Sequence, residues 1–124
     1  DKYDWRAQED RLNAALPQFR TTVDISDPNA RRRPHHDEEA APGKSDAVPL
    51  LFCHGWPGSF IEVAPLAERK SAPRFHVVAP SIPGFGFSDA SVEEGFGLRE
   101  TARTFDGLMR KLGYERYVAH GTGW

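Results

Sequence analysis

The chain has 124 residues, 39% of them hydrophobic and 27% charged, which suits one soluble globular domain at most, or a piece of one. Its 16 Lys and Arg face 18 Asp and Glu, a net charge of −2, so nothing electrostatic points to nucleic acid or a membrane surface as partner. The lone Cys53 excludes an internal disulfide, and no apolar run nears the roughly 18 residues of a membrane span or a secretory h-region. A cytoplasmic location follows as the expectation, and because the first residue is Asp1 instead of Met, a missing start is also expected.

The opening DKYDWRAQEDRLNAALPQF predicts a helix. Asp4 is placed to cap it, and Trp5, Leu12, Ala15 and Leu16 recur near helical spacing on one face. Pro17 ends the helix, and FRTTVDI then reads as a short strand. Residues 1–26 form an N-terminal segment of their own.

Residues 27–46, DPNARRRPHHDEEAAPGKSD, are polar, charged and rich in Pro and Gly, as expected of a mobile loop. His35, His36, Asp37, Glu38 and Glu39 do not make a metal site, because neighbours in a flexible loop cannot preset coordination geometry. The basic run Arg31–Arg33 is not a nucleic-acid patch, since three acids follow it closely. Neither a metal nor a cofactor is expected.

From Val48 onward, strand, helix, strand, loop, helix and strand follow in turn. VPLLFC is a nearly continuous apolar run, as in a strand buried on both faces. Ser59 and Glu62 form the pattern of a capping box, and Pro65 keeps the helix they start short or kinked. FHVVAP is the second strand, stopped by Pro80. LRETARTFDGLMRKLG places Leu98, Ala102, Phe105, Leu108, Met109 and Leu112 on one face, with Gly113 as its C-terminal stop. ERYVAH is the third strand. Such alternation implies right-handed crossovers and a parallel βαβαβ sheet, with any site at the strands' C-terminal ends.

Three corner sequences should therefore share one rim: HGWPGS, PSIPGFGFSD and HGTGW. In the first, Gly55 permits a close turn and Pro57 drives Trp56 from helical angles, leaving backbone N–H groups free to face the rim as an oxyanion hole requires. The turn and the exposure of the Trp56 amide predict a cis Trp56–Pro57 bond. His54 reads as a structural histidine donating to neighbouring backbone in preference to a general base. Gly84 and Gly86 allow left-handed angles, and Phe85 and Phe87 either fill the loop or line an apolar wall.

HGWPGSF, VVAPSIPGFGFSDA and TARTFDGLMRKLGYERYVAHGTGW, with the opening YDWRAQEDRLNAALPQF, resemble stretches of epoxide hydrolases of the α/β-hydrolase fold, in the microsomal-like branch with an N-terminal strap. The resemblance covers residues 3–23 and 48–124. It implies an incomplete α/β-hydrolase fold: a strap over 1–26, the loop 27–46, and the first half of the core over 47–124, ending at the nucleophile elbow. It also implies hydrolysis of a small apolar epoxide to a vicinal diol through an alkyl-enzyme ester. The backbone amides of Trp56 and Trp124 would form the oxyanion hole, Pro57 and Phe85 would line the substrate pocket, and His54, Gly55, Gly84, Gly86 and Gly121 would shape the motif turns.

The chain departs from that pattern at its end. The elbow reads small-x-nucleophile-x-small, so with Gly121 as the first small residue the nucleophile position is Gly123, where the family has aspartate. Centring the turn on Thr122 would place His120 and Trp124 at positions that must be small. The family's histidine, its orienting acid and two lid tyrosines have no counterpart, and neither does its strand of the type I-H-F-V-H. The resemblance therefore implies a chain inactive alone, with a missing C-terminal half or self-association as the way to cover the third strand. A non-catalytic relative that binds a small molecule or a partner is the alternative, and a serine-type esterase ranks last because no serine occupies the elbow.

Overall fold

The computed structural model describes residues 3–26, 47–67 and 73–123, so the loop expected over 27–46 and Trp124 lie outside the described residues. Helix α1 runs Trp5–Ala15, and Asp4 caps it by accepting the Ala7 amide at 3.1 Å. Strand β1 is Val48–Cys53. A 3₁₀ turn, Phe60–Val63, leads into the short α2, Ala64–Ala67. Strand β2 is Phe75–Val78, α3 is Leu98–Lys111 and β3 is Val118–Gly121.

The three strands are parallel, in the order β2-β1-β3. Leu51 is level with Val78 on one side and with Ala119 on the other. The chain steps from β1 to β2 in one direction and from β2 past β1 to β3 in the other. Two crossovers of one hand must then place their helices on opposite faces. The core has that form. Phe52, Val63 and Leu16 gather on one face with Leu12, Ala64 and Leu66, while Leu51, Phe105 and Met109 gather on the other with Val78, Tyr114 and Tyr117. Each such side chain, taken out of water, contributes about 1.5–3 kcal/mol. Met109 is fully buried, which makes α3 the main anchor of its face.

Helix α3 ends as Gly113 requires. The Gly113 φ of +84° lets its amide reach Arg110 O at 2.9 Å, and the Tyr114 amide reaches Met109 O at 2.9 Å. This 6→1 and 5→2 pair closes the helix and turns Tyr114 onto Met109. At the other end Glu100 accepts the Gly97 amide at 3.1 Å, and that bond holds its carboxyl below the usual range.

Three expectations are corrected. Residues 19–25 form no strand; they lie along α3, whose Lys111 donates to Thr22 O at 3.0 Å and Arg103 to Ile25 O at 2.9 Å. Carbonyls taken by side chains from a helix are not in a sheet ladder. The segment reaches the helix because residue 107 is glycine, where a Cβ would stand 2.7 Å from Val23 Cγ1. Second, Trp5 is 56% exposed, because only the C-terminal end of α1 meets the sheet. Third, Leu98 is 90% exposed and Ala102 is also exposed, so the buried face of α3 begins at Phe105.

All four residues of β3 are exposed, and its outer edge carries no further strand among the described residues. No helix among the described residues is long and apolar enough to cross a membrane.

Candidate active site

The sheet order puts β1 and β3 side by side where the chain reverses its direction of winding, the place where open α/β sheets hold their ligands. Cys53 and Gly121 are register partners there, so the turn after β1 and the turn after β3 leave the sheet together. The Thr122 amide donates to Cys53 O at 3.1 Å and extends the pairing by one step.

His54, at the root of the first turn, is 3% exposed. Its Nε2 lies 3.0 Å from the Ile82 amide, which can only donate, and its Nδ1 lies 3.0 Å from Gly55 O, which can only accept. The ring is therefore neutral with its proton on Nδ1, and neither nitrogen is available to take a proton from a substrate. The ring bridges the turn after β1 and the loop after β2.

Gly55 and Gly123 are in backbone contact. A Cβ on Gly55 would stand 2.5 Å from Thr122 O, and a Cβ on Gly123 would stand 2.9 Å from Gly55 Cα and 3.1 Å from the Trp56 nitrogen. Gly123 has φ +76°, in the region where a side chain is strained. A group carried at position 123 would thus leave the backbone beside the Trp56 nitrogen. That N–H meets no acceptor among the described residues. The Trp56–Pro57 bond is cis, as expected. Gly121, by contrast, has open space around its Cβ position, so no crowding among the described residues explains a small residue there.

The loop after β2 closes the other side. Gly84 and Gly86 have φ of +87° and +53°, as the sequence predicts. Phe85 packs its ring 5.6 Å from that of His54, while Phe87 is 70% exposed and lies 6.2 Å from Phe60. Of the two aromatics only Phe85 turns inward. The side chains of Trp56 and Pro57 are exposed on the rim.

Comparisons with known proteins agree with this geometry. The family Epoxide hydrolase N terminus matches residues 1–63, and the alpha/beta hydrolase fold family matches residues 48–124. The chain belongs to the epoxide hydrolase family. It is 37% identical to a putative epoxide hydrolase of Stigmatella aurantiaca, over 99% of this chain and 28% of the relative. Epoxide hydrolase 1 of Oryctolagus cuniculus is 36% identical, again over 99% of this chain and 28% of its own length. The structure of Aspergillus niger epoxide hydrolase superposes with a TM-score of 0.72 at 33% identity, covering 98% of this chain and 32% of that one. The chain thus spans less than a third of the proteins it matches, and corresponds to their N-terminal part.

In this epoxide hydrolase segment the first turn, the loop after β2 and the elbow form one connected rim. His54 links the first two, and Gly55 links the first to the third. Beneath the rim, Tyr117 donates to Asp106 Oδ1 at 2.8 Å, and Arg110 Nε donates to Asp106 Oδ2 at 3.0 Å. Burial, and then the bond to Asp106, push the Tyr117 hydroxyl up to about 12. Burial likewise raises the Cys53 thiol. This network fixes β3 to α3 and so fixes the floor of the elbow. One side chain at the rim escapes a reading of the sequence as anything beyond a cap. Glu62 accepts from Ser59, as the capping box predicts, but it also accepts from Thr122.

Proposed function

We propose that the chain carries the first half of an epoxide-hydrolase site that adds water to a small apolar epoxide to give a vicinal diol, and that it is inactive by itself. The observation carrying this reading is the Trp56 N–H, which meets no acceptor among the described residues and whose nitrogen lies 3.1 Å from where a Cβ on residue 123 would stand, at a φ of +76°. In the reaction a carboxylate at position 123 attacks an epoxide carbon, and the ring C–O bond breaks to leave an alkoxide that takes up a proton. Water then adds to the carbonyl of the resulting ester. The negative charge formed on the carbonyl oxygen is stabilised by the Trp56 amide and by the amide of Trp124, before the C–O bond to the carboxyl carbon breaks and releases the diol.

Gly123 supplies no carboxylate, so the ester cannot form in this chain. His54 cannot replace the histidine that activates water, because both its nitrogens are engaged. Under this reading the acid–histidine pair and the two polarising tyrosines come from a further segment or a partner chain. The strap over 1–26, the core over 47–124, Pro57 and Phe85 as pocket residues and a cytoplasmic location belong to the same proposal. The absent side chain at Gly123 also favours a second reading, a relative that binds an apolar ligand without turning it over. Incubation with a simple aryl epoxide separates the two. A complex seen in Trp fluorescence, with no diol formed even when a family C-terminal half is added and Gly123→Asp is introduced, supports the binding protein. Diol formation under those conditions supports the hydrolase.

A further inference from the structure

One carboxylate joins two of the rim loops through its two separate oxygens. Glu62 Oε1 accepts the Ser59 amide at 3.2 Å, and Glu62 Oε2 accepts the Thr122 hydroxyl at 2.7 Å across 60 residues of sequence. The carboxylate fits so close to the first turn because residue 58 is glycine, where a Cβ would fall on Glu62 Oε1. A capping box needs only the first of these oxygens. The second is committed to the residue immediately before the reactive position, by a short hydrogen bond to an ionised acceptor, which is the stronger kind.

We propose that Glu62 is a positioning residue, which holds Thr122 against the HGWPGS turn and so keeps the Trp56 nitrogen beside position 123. The inference deepens the hydrolase reading and rests on it, in that it takes the Trp56 amide as the oxyanion donor. The carbonyl of Thr122 and the Cα of Gly123 both lie against Gly55, within 2.5–2.8 Å of where its Cβ would be. The backbones of the two turns touch directly, so a side-chain tie between the turns can hold that contact closed. The Thr122 N–H to Cys53 O bond fixes the height of the elbow along the sheet. The Thr122–Glu62 bond fixes its approach to the first turn.

The test is solution NMR on the chain itself, in three variants. Thr122→Val keeps the shape and the cap but removes the hydroxyl, Thr122→Ser keeps the hydroxyl, and Glu62→Ala removes both bonds. The expected result is loss of the Gly55 Hα–Gly123 Hα cross-peak and a shifted Trp56 amide in Thr122→Val, with both features retained in Thr122→Ser. A residue with only a capping role would lower the unfolding midpoint and leave that cross-peak in place. Should Glu62→Ala fail to fold, the Thr122 pair decides alone. An unchanged cross-peak in folded Thr122→Val, or its loss in Thr122→Ser as well, overturns the proposal. These signals report geometry, so absence of diol formation in any version bears on the hydrolase reading and leaves this test intact.

Discussion

The Ile82 amide donates to His54 Nε2 at 3.0 Å, and this contact helps to fasten the loop after β2 to the turn after β1. His54 is almost wholly buried, so removing its ring leaves the Ile82 donor facing a gap. His54→Ala should cost about 1–3 kcal/mol for the orphaned group, besides the lost packing on Phe85. His54→Gln, which can offer a carbonyl to Ile82, should recover part of that loss. Urea denaturation of the three proteins side by side checks it, and equal midpoints would show that the contact carries no weight.

Gly107 is a second junction. Replacing it with alanine should favour the helix by about 0.8–1.0 kcal/mol in propensity alone. The new methyl would meet Val23 Cγ1 at 2.7 Å, however, and valine is stiff at χ1, so it cannot swing away. Gly107→Ala is expected to lift residues 22–25 from the helix without unfolding it. Amide exchange along α3 should stay slow while limited proteolysis near Val23 accelerates. Adding Val23→Ala should reverse the proteolysis, since it removes the atom that collides.

The tyrosine beneath the elbow gives a dependence on pH. Tyr117 rises from the ordinary 10.0 to about 12 in the folded chain, so the folded state holds its proton more tightly than the unfolded state does. The sign follows from linkage. The stabilisation is fully present below pH 10 and is lost as pH climbs toward about 12, because the unfolded state releases the proton first. Tyr114 and Cys53 are also raised by burial and add to the same alkaline slope. Tyr117→Phe should flatten the fall in stability over that window without altering its shape at neutral pH. An identical alkaline profile in the variant would contradict the assignment.

The elements that were legible in the sequence are those whose cause is local. The apolar run from Val48 to Cys53 could only be a buried strand, and Asp4, Ser59–Glu62 and Gly113 each mark a helix end by their own chemistry. What failed depended on distant partners. Thr21, Thr22 and Val23 favour extended backbone, but whether that backbone joins a sheet depends on Lys111 and Arg103, some eighty residues on. Trp5 and Leu98 lie on helical faces that are apolar by spacing, yet both are left exposed. At the rim, Glu62 already had a sufficient local explanation as a cap, which concealed its bond to Thr122.

Restoring the carboxylate tests the reading of the elbow most directly. Gly123 has φ +76°, so an aspartate there bears the strain of a left-handed backbone, of order 1–3 kcal/mol. Its Cβ would also meet Gly55 Cα at 2.9 Å and the Trp56 nitrogen at 3.1 Å, so the two turns must part by a few tenths of an ångström. Gly123→Asp is therefore expected to fold with a lower unfolding midpoint and to shift the Trp56 amide, as an anion brought next to a donor should. It should still form no diol from an aryl epoxide, because under the proposed reading the acid–histidine pair that activates water on the ester comes from elsewhere. The alkyl-enzyme ester itself is the product to look for, as a mass increase equal to that of the epoxide, absent from the unmodified chain. Joined to a family C-terminal half, the same substitution should release diol. Turnover by the unmodified chain would show that the nucleophile is not at position 123.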